Sequence, residues 1–106
     1  MSDNFSEQIY LQLIKVPKGK ITTYKALAHS LGSRAYQAVG TAMKNNPYAP
    51  KVPCHRVVLS DGSIGGFMGK KTGKTVTKKI KMLNKEGVKV VNGKVVNFAS
   101  KLFDFE

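Results

Sequence analysis

The sequence predicts a small, mainly helical α/β domain that contains a helix-turn-helix and a short β-hairpin. Apolar residues recur at helical spacing in several segments, two short helical segments meet at Gly32-Ser33, and Asn92-Gly93 separates two β-prone runs. The chain has 106 residues, of which 42% are hydrophobic, and this fits one modest core. We therefore expect residues 1–106 to form a single domain.

Two helices are predicted in the first third of the chain. Apolar residues at helical spacing cover residues 4–16, and Pro17 ends the pattern. A second apolar face covers residues 24–31. Either Thr22 or Thr23 can cap that helix, because a threonine hydroxyl accepts a hydrogen bond from an N–H group of the first turn.

A third helix is predicted over about residues 34–45, with Ser33 as its cap. Gly32 can end the preceding helix, because glycine adopts a positive φ without steric cost. Two short helices joined by such a turn are typical of a helix-turn-helix. The third helix is rich in small residues, and Gly40 inside it costs about 1 kcal/mol relative to alanine. Close approach to a DNA groove and close packing on another helix are the two open explanations.

The C-terminal half is predicted to alternate loops with short regular elements. Prolines hold residues 47–53 extended, and a short buried strand or turn follows at residues 57–59. A glycine-rich loop covers residues 65–69. A helix over residues 75–85 is expected to direct its apolar side chains inward and its lysines mostly outward.

A small C-terminal β-hairpin is predicted beyond this helix. Asn92-Gly93 favours a type I′ turn, whose two central residues both need a positive φ. Its strands are expected over residues 88–91 and 94–98. Together these elements indicate a winged helix-turn-helix-like, DNA-binding type of domain.

The chain is strongly basic, since 18 Lys and Arg residues against 6 Asp and Glu residues give a net charge of +12. Such an excess favours a polyanionic partner, nucleic acid first. The alternative is solubility or a lysine-rich composition, because only Arg34 and Arg56 are arginines. No apolar run approaches the roughly 18 residues that a membrane span needs, and the N-terminus lacks the features of a signal peptide.

Cys54 is the only cysteine, and it is followed by His55 in the run PCHRVV. A thiol beside an imidazole is a minimal nucleophile, because the thiolate attacks and a base makes it available. The alternative is a buried structural cysteine. One cysteine and two histidines lack the spacing of metal ligands, so neither a metal nor another cofactor is expected. A lone cysteine forms no internal disulfide, which favours a reducing compartment: the cytoplasm with its nucleoid, or the nucleus of a eukaryote.

The PCHRV box resembles that of the O6-alkylguanine-DNA alkyltransferases, a family that includes the alkyltransferase-like proteins. It is preceded by AVGTAM at residues 38–43 and by Asn46-Pro47 at the spacing of that family, and the similarity spans residues 5–87. The resemblance implies DNA repair: the Cys54 thiolate takes an alkyl group from O6 of guanine in double-stranded DNA, once per molecule. The damaged base must leave the helical stack to reach the sulfur. We expect the protein to act as a monomer.

The resemblance also implies roles for the residues around the thiol. His55 accepts the thiol proton through a water, and Glu86 orients the imidazole. Asn46 braces the turn near the site. Tyr24 helps to rotate the nucleotide and donates a hydrogen bond as guanine leaves.

Further residues are implied for the base pocket and for the DNA surface. A lysine of the late helix, Lys79 or else Lys78, helps to neutralise the leaving guanine. The wall of the pocket is implied to comprise Ser60, Gly65, Phe67, Met68 and Gly69. The third helix is implied to present to DNA Arg34, Ala35, Tyr36, Gln37, Gly40, Thr41 and Lys44.

The sequence departs from the family pattern at two places. Gln37 stands where the family typically has an arginine that fills the gap left by the flipped base. Glutamine can hydrogen-bond to the orphaned base, but it lacks the charge and the stacking surface of a guanidinium. Phe67 and Met68 stand where a tyrosine and a small hydroxyl residue are common. The strength of DNA binding, the ease of base flipping and the preferred adduct are therefore open.

Two other functions stay open at this stage. A non-enzymatic sensor of the alkyltransferase-like kind would bind alkylated DNA and recruit other repair factors. Such proteins usually carry tryptophan in place of the cysteine, whereas this chain has Cys54. A helix-turn-helix regulator with a buried cysteine would instead prefer one DNA sequence and ignore lesions.

Overall fold

The computed structural model describes residues 5–66 and 73–105 of the chain. Their regular elements, in chain order, are helix α1 (Phe5–Leu13), strand β1 (Thr22–Thr23), helix α2 (Tyr24–Ser30), helix α3 (Tyr36–Lys44), a 3-10 turn (Cys54–Arg56), strand β2 (Val57–Val58), helix α4 (Lys74–Lys85), strands β3 (Val90–Val91) and β4 (Lys94–Val95), and helix α5 (Phe98–Lys101). The predicted class, a mainly helical α/β domain with a small hairpin, is confirmed.

Helices α1, α2 and α3 pack against one another around the first part of the core. Ile9, Leu27 and Val39, one from each helix, are fully buried there because apolar burial drives the packing. The Tyr10 hydroxyl donates a hydrogen bond to the carbonyl oxygen of Ala42 at 2.9 Å and ties α1 to α3. This packing uses one face of α3 and leaves the start of that helix exposed.

A parallel pair of two-residue strands connects the two halves of the chain. Strand β1 pairs with β2, with Thr22 opposite Val57 and Thr23 opposite Val58. All four residues are buried. Because β2 follows the 3-10 turn directly, the pairing fixes the position of Cys54 relative to the start of α2.

Helix α4 and the hairpin enclose a second buried cluster. Val58, Leu83 and Val88 are fully buried in it. The hairpin turn has φ of +51° at Asn92 and +75° at Gly93, both positive, as a type I′ turn requires. The cluster therefore seats α4 against the strand that follows the 3-10 turn.

The second strand of the hairpin is shorter than the sequence predicts. Strand β4 ends at Val95, and Phe98 begins helix α5 instead of continuing a strand. Asn97 adopts a φ of +58°, and this left-handed conformation turns the chain out of the extended form. The side chain of Phe98 then packs over Gly62.

Two predicted helix bounds also change. Helix α3 begins after Ala35, and Ser33 does not cap it. The Ser33 hydroxyl instead accepts a hydrogen bond from the N–H group of Ala35 at 3.0 Å, a local turn that competes with helix. Arg34 and Ala35 therefore precede the helix. Helix α1 ends at Leu13, before the predicted end at residue 16.

The two adjacent threonines of β1 differ in their hydrogen bonding. Thr23 Oγ1 accepts a hydrogen bond from the N–H group of Ala26 at 2.9 Å and caps α2, so the structure selects Thr23 of the two predicted caps. Thr22 Oγ1 is buried and has no hydrogen-bond partner among the described residues. The two hydroxyl groups therefore have opposite effects on stability.

We predict that the same substitution at these two positions changes stability in different directions. Thr23→Val removes the cap and lowers the free energy of unfolding by about 1 kcal/mol. Thr22→Val removes a buried hydroxyl that has no partner and leaves the free energy unchanged or raises it. Urea unfolding of both variants and the parent protein measures the difference. Equal losses at both positions would contradict the assigned cap.

Candidate active site

Cys54 is the first residue of the 3-10 turn, and only 5% of its surface is exposed. Its N–H group donates to the carbonyl oxygen of Val52, and the N–H group of Arg56 donates to that of Pro53, each at 2.9 Å. These bonds form a tight turn after three separated prolines. Burial raises the pKa of the Cys54 thiol, so the thiol is protonated at rest at neutral pH.

Asn46 closes the loop that leads into this turn. Its side-chain N–H donates to the carbonyl oxygen of Val52 at 2.8 Å, and its Oδ1 accepts from the N–H group of Tyr48 at 2.9 Å. The amide is itself buried. Asn46 also forms a hydrogen bond with the thiol of Cys54, which lowers the pKa of that thiol but less than burial raises it.

His55 and Arg56 both bind one carboxylate, that of Glu86 at the end of α4. His55 Nε2 lies 3.0 Å from Glu86 Oε2. Arg56 donates to both oxygens, from Nε to Oε1 at 2.9 Å and from Nη2 to Oε2 at 2.7 Å. Arg56 Nη1 also donates to the carbonyl oxygen of Val16 at 2.7 Å. The carboxylate therefore fixes the imidazole and joins α4 to the turn.

The charges of this cluster favour a neutral imidazole beside an ionised carboxylate. Burial lowers the pKa of His55, although its hydrogen bond with Glu86 acts in the opposite direction. Burial alone would raise the pKa of Glu86, but the hydrogen bonds from Arg56 and His55 lower it on balance. At neutral pH the imidazole can therefore accept a proton, and the carboxylate can stabilise the resulting cation.

Lys79 is fully buried and is an exception to the expectation that the lysines of this helix point mostly outward. Its Nζ donates to the carbonyl oxygens of Val57 at 2.7 Å and Gly66 at 2.9 Å, and also to that of Ile64. Burial lowers the pKa of Lys79 to about 8, while its positive charge lowers the pKa of Cys54. The ammonium group therefore joins strand β2 to the loop at residues 64–66.

The periodicity of α4 contained a signal for this burial. Lys79 follows Val76 by three residues and precedes Leu83 by four, so it lies on the apolar stripe of the helix. A lysine on such a stripe is buried only where carbonyl oxygens accept its protons. No sequence pattern identifies those carbonyls, because they come from three separate positions.

Tyr24 is the first residue of α2 and is partly buried against the first core cluster. Burial raises the pKa of its phenol, and the nearby thiol of Cys54 raises it further. The structure therefore places Tyr24 near the thiol of Cys54. The other four residues predicted to act in catalysis or on the leaving base belong to the same site. Those residues are His55, Glu86, Asn46 and Lys79.

Cys54 and His55 line a cavity of about 590 Å³, large enough for a small ligand. Most of its wall is formed by residues for which no role was predicted, namely Ala49, Pro50, Lys74, Thr75 and Met82. Lys78, the predicted alternative to Lys79, also lines it. Three of these, Lys74, Lys78 and Met82, are spaced by four residues on α4. That spacing places them on one face of the helix. The sequence does not show that the loop with Ala49 and Pro50 lines the same cavity, whereas the fold does.

The predicted pocket wall is only partly described. Ser60 is exposed in the turn after β2 and is not among the residues that line the cavity. Gly65 has a φ of +68° and lies close against the side chain of Leu59. Phe67, Met68 and Gly69 lie outside the described residues.

The predicted DNA-binding residues form an exposed surface at the start and along one side of α3. The exposed members are Arg34, Ala35, Tyr36, Gln37, Thr41 and Lys44, and Gly40 is half-buried. A Cβ atom at Gly40 would meet no described atom within 4 Å, so the described helices do not use its small size for packing. The Tyr36 hydroxyl lies 2.7 Å from His29 Nε2 and links α3 to α2.

Within the described ranges, no cluster of three His, Cys, Asp or Glu residues could hold a metal ion. No helix among the same residues is long and apolar enough to cross a membrane.

We predict that Glu86→Gln changes the pH dependence of stability. The pKa of Glu86 is lowered in the folded state from an ordinary value of 4.5, so its stabilising contribution is complete above about pH 4.5 and is lost as pH falls through the folded pKa. At pH 7 the substitution lowers the free energy of unfolding by about 3 kcal/mol, because the partly buried charge of Arg56 is left with an uncharged partner.

Denaturant unfolding between pH 7 and acid measures this prediction. The exposed Glu7→Gln, which also removes one carboxylate, serves as the matched control and is expected to change stability little. If Glu86→Gln destabilises the protein no more than Glu7→Gln at neutral pH, the central role of this carboxylate is wrong.

The sequence and the fold both match known proteins. A family model described as 6-O-methylguanine DNA methyltransferase, DNA binding domain, matches residues 4–88. A methylated-DNA–protein-cysteine methyltransferase from Cricetulus griseus is 46% identical over 69 residues, which cover 63% of this chain and 33% of that protein. The chain thus spans about a third of the length of this curated relative.

Two solved structures share the fold. S. pombe Atl1, in complex with damaged DNA containing O6-carboxymethylguanine, aligns with a TM-score of 0.82 at 27% identity and covers 98% of both chains. The O6-methylguanine-DNA methyltransferase of Pyrococcus kodakaraensis aligns with a TM-score of 0.69 at 42% identity, over 80% of this chain and 47% of that one. With most of its length matched by the family model, the chain belongs to the 6-O-methylguanine DNA methyltransferase family through its DNA-binding domain.

Proposed function

We propose that this protein repairs DNA by transferring an alkyl group from O6 of guanine to the sulfur of Cys54, once per molecule. The observation that carries the proposal is the turn that holds Cys54 and His55 at the wall of a cavity, with His55 Nε2 held 3.0 Å from Glu86. A thiol, a neutral base and an orienting carboxylate are the parts of an activated sulfur nucleophile. Membership of the family adds the substrate class.

The proton of the thiol leaves by way of His55. Glu86 occupies Nε2, so Nδ1 is the ring nitrogen available to take that proton through a water. The thiolate then attacks the alkyl carbon, a C–S bond forms and the C–O6 bond breaks. The electron pair goes to O6, and the guanine that leaves acquires a proton at N1. The thioether is stable, so each protein molecule reacts once.

The buried cation of Lys79 acts on the sulfur through its charge. Its positive charge lowers the pKa of Cys54, but its Nζ already donates to three carbonyl oxygens. The three protons of the ammonium group are therefore committed. In this proposal Lys79 stabilises the thiolate electrostatically and positions the backbone, and Tyr24 is the residue that donates to the leaving base.

The basic surface supplies the affinity for DNA. The net charge of +12 attracts the phosphate backbone. The residues at the exposed start of α3 are proposed to enter a groove, where Gly40 leaves space for close approach. Structures of two relatives, S. pombe Atl1 and the Mycobacterium tuberculosis protein OGT, contain DNA, which supports DNA as the partner of this surface.

The central test uses duplex DNA that contains a single O6-methylguanine. After incubation, intact-protein and peptide mass spectrometry should find one methyl group on Cys54 in place of the thiol proton, in at most one equivalent per protein molecule. Cys54→Ser should bind the same DNA and gain no methyl group. A parent protein that binds the lesion and leaves it intact would refute the transfer.

Gln37 offers a second test of the DNA-binding surface. Gln37→Arg adds a cation and a stacking surface at the exposed start of α3, and we expect binding to lesion DNA to tighten about three- to tenfold at moderate salt. Fluorescence anisotropy measures the dissociation constant. Ala99→Arg, an exposed site on α5 with the same added charge, is the matched control and should tighten binding much less.

A non-enzymatic damage sensor is the second candidate. The similarity to S. pombe Atl1 over 98% of both chains favours it, whereas the thiol beside an oriented imidazole favours transfer. The methyl-transfer assay separates the two functions. A sensor would retain the lesion in a stable complex, and its affinity for O6-methylguanine DNA would exceed that for undamaged DNA without modification of Cys54.

A further inference from the structure

The C-terminal segment, residues 98–105, packs back onto the domain beside strand β1. The N–H group of Ile21, the residue before β1, donates to the carbonyl oxygen of Lys101 at 2.9 Å. The carbonyl oxygen of Ile21 accepts from the N–H group of Phe103 at 2.8 Å, which completes a parallel bridge between Ile21 and Leu102. The extended chain that leads through β1 therefore lies between the C-terminal segment and β2.

Two phenylalanines of this segment join the cluster that contains the nucleophile. Phe103 and Phe105 meet edge to face, with ring centroids 5.0 Å apart and ring planes at 90°. Both pack against the first core cluster, of which Cys54 is a member, and Tyr24 packs against the same cluster. Leu102 packs against the second cluster instead, because successive side chains of an extended chain point to opposite sides. The segment thus contributes apolar contacts to the cluster around the site.

Strand β1 determines how two residues of the proposed reaction lie relative to each other. It leads directly into α2, whose cap is Thr23 and whose first residue is Tyr24. Its pairing with β2 holds the turn that begins at Cys54. A shift of β1 would therefore move the phenol of Tyr24 relative to the sulfur. A pair of two-residue strands is weak by itself, so the contacts of the C-terminal segment add to the restraint.

We propose that the C-terminal segment is a positioning element of the active site, and that Phe103 is the residue through which it holds Tyr24 in place beside Cys54. This role rests on the proposed function, in which Tyr24 donates to the leaving base. The family model matches residues 4–88, so the segment lies beyond the matched residues. Phe103 touches no reacting atom and acts through Tyr24. A displacement of about 1 Å that originates far from the reacting atoms can lower a rate about a hundredfold.

The test measures the rate constant of methyl transfer from a saturating O6-methylguanine duplex to the Phe103→Leu protein. We expect this rate constant to fall about five- to tenfold, while the dissociation constant, measured in the Cys54→Ser background, changes by less than about twofold. Because each molecule reacts once in the proposed reaction, the final amount of methylated Cys54 counts the folded molecules and should equal that of the parent. A lower final amount with an unchanged rate constant would indicate a purely structural role and overturn the inference.

A double-mutant cycle tests whether Phe103 acts through Tyr24. In the Tyr24→Phe background, which lacks the phenol hydroxyl, Phe103→Leu should change the rate constant by less than about twofold. Equal slowing in both backgrounds would show that Phe103 acts by another route, and the inference would be wrong.

Phe98→Leu is the matched control, because Phe98 belongs to the same segment but packs against the second cluster, over Gly62. It removes the same ring from the segment and should leave the rate constant within about twofold of the parent value. If Phe98→Leu slows transfer as much as Phe103→Leu does, the effect comes from general loosening of the segment, and Phe103 has no specific role.

A measurement without DNA keeps this inference apart from the proposed function. The carbon–proton NMR signal of the Tyr24 ring, identified by its loss in Tyr24→Phe, should shift in Phe103→Leu and stay in place in Phe98→Leu. Such a shift in a protein that transfers no methyl group supports the placement of Tyr24 and refutes the repair function, whereas an unshifted signal in that protein refutes both. In a protein that transfers, an unchanged rate constant for Phe103→Leu refutes the placement and leaves the repair function intact.

Discussion

The carboxylate of Glu86 is the interaction on which the arrangement of the site depends. It binds His55 and Arg56 at the same time, and Arg56 extends the connection to the carbonyl oxygen of Val16, in the segment that follows α1. Three distant parts of the chain are therefore joined, two of them directly at the anion and the third through Arg56. Because the group is largely withdrawn from water, its attraction for these partners is screened less than on a surface. The same contact that holds α4 in place also orients the imidazole beside Cys54.

The buried ammonium group of Lys79 complements this anion on the other side of the turn. It joins the carbonyl oxygen of Val57 in β2 to that of Gly66 in the loop that follows. Burying a lysine is costly unless its protons are all accepted, and here three carbonyl oxygens accept them. The positive charge that results acts on the Cys54 thiol. The same buried charge therefore stabilises the fold and lowers the pKa of the thiol.

Several features followed from local patterns alone. A threonine cap before α2, the break after α1 and the positive φ values at Asn92 and Gly93 are consequences of side-chain chemistry within a few residues, although the structure decided which of the two threonines is the cap. The longer helices followed from apolar spacing, and the family followed from the PCHRV box together with AVGTAM and Asn46-Pro47 at the spacing of that family. Bounds were less predictable where a side chain had two possible partners, as when Ser33 bonded to Ala35 instead of capping α3.

The sequence by itself identified the mainly helical class, the basic character of the chain and the pair formed by Cys54 and His55. Each of these depends on composition or on residues that are adjacent or regularly spaced. Only the tertiary structure decided that Lys79 is buried, that α4 supplies Lys74 and Lys78 to the cavity, and that Arg56 shares the carboxylate of Glu86. These contacts join residues far apart in the chain. Their energies depend on burial and on distance in space, and no local pattern of residue types encodes either quantity.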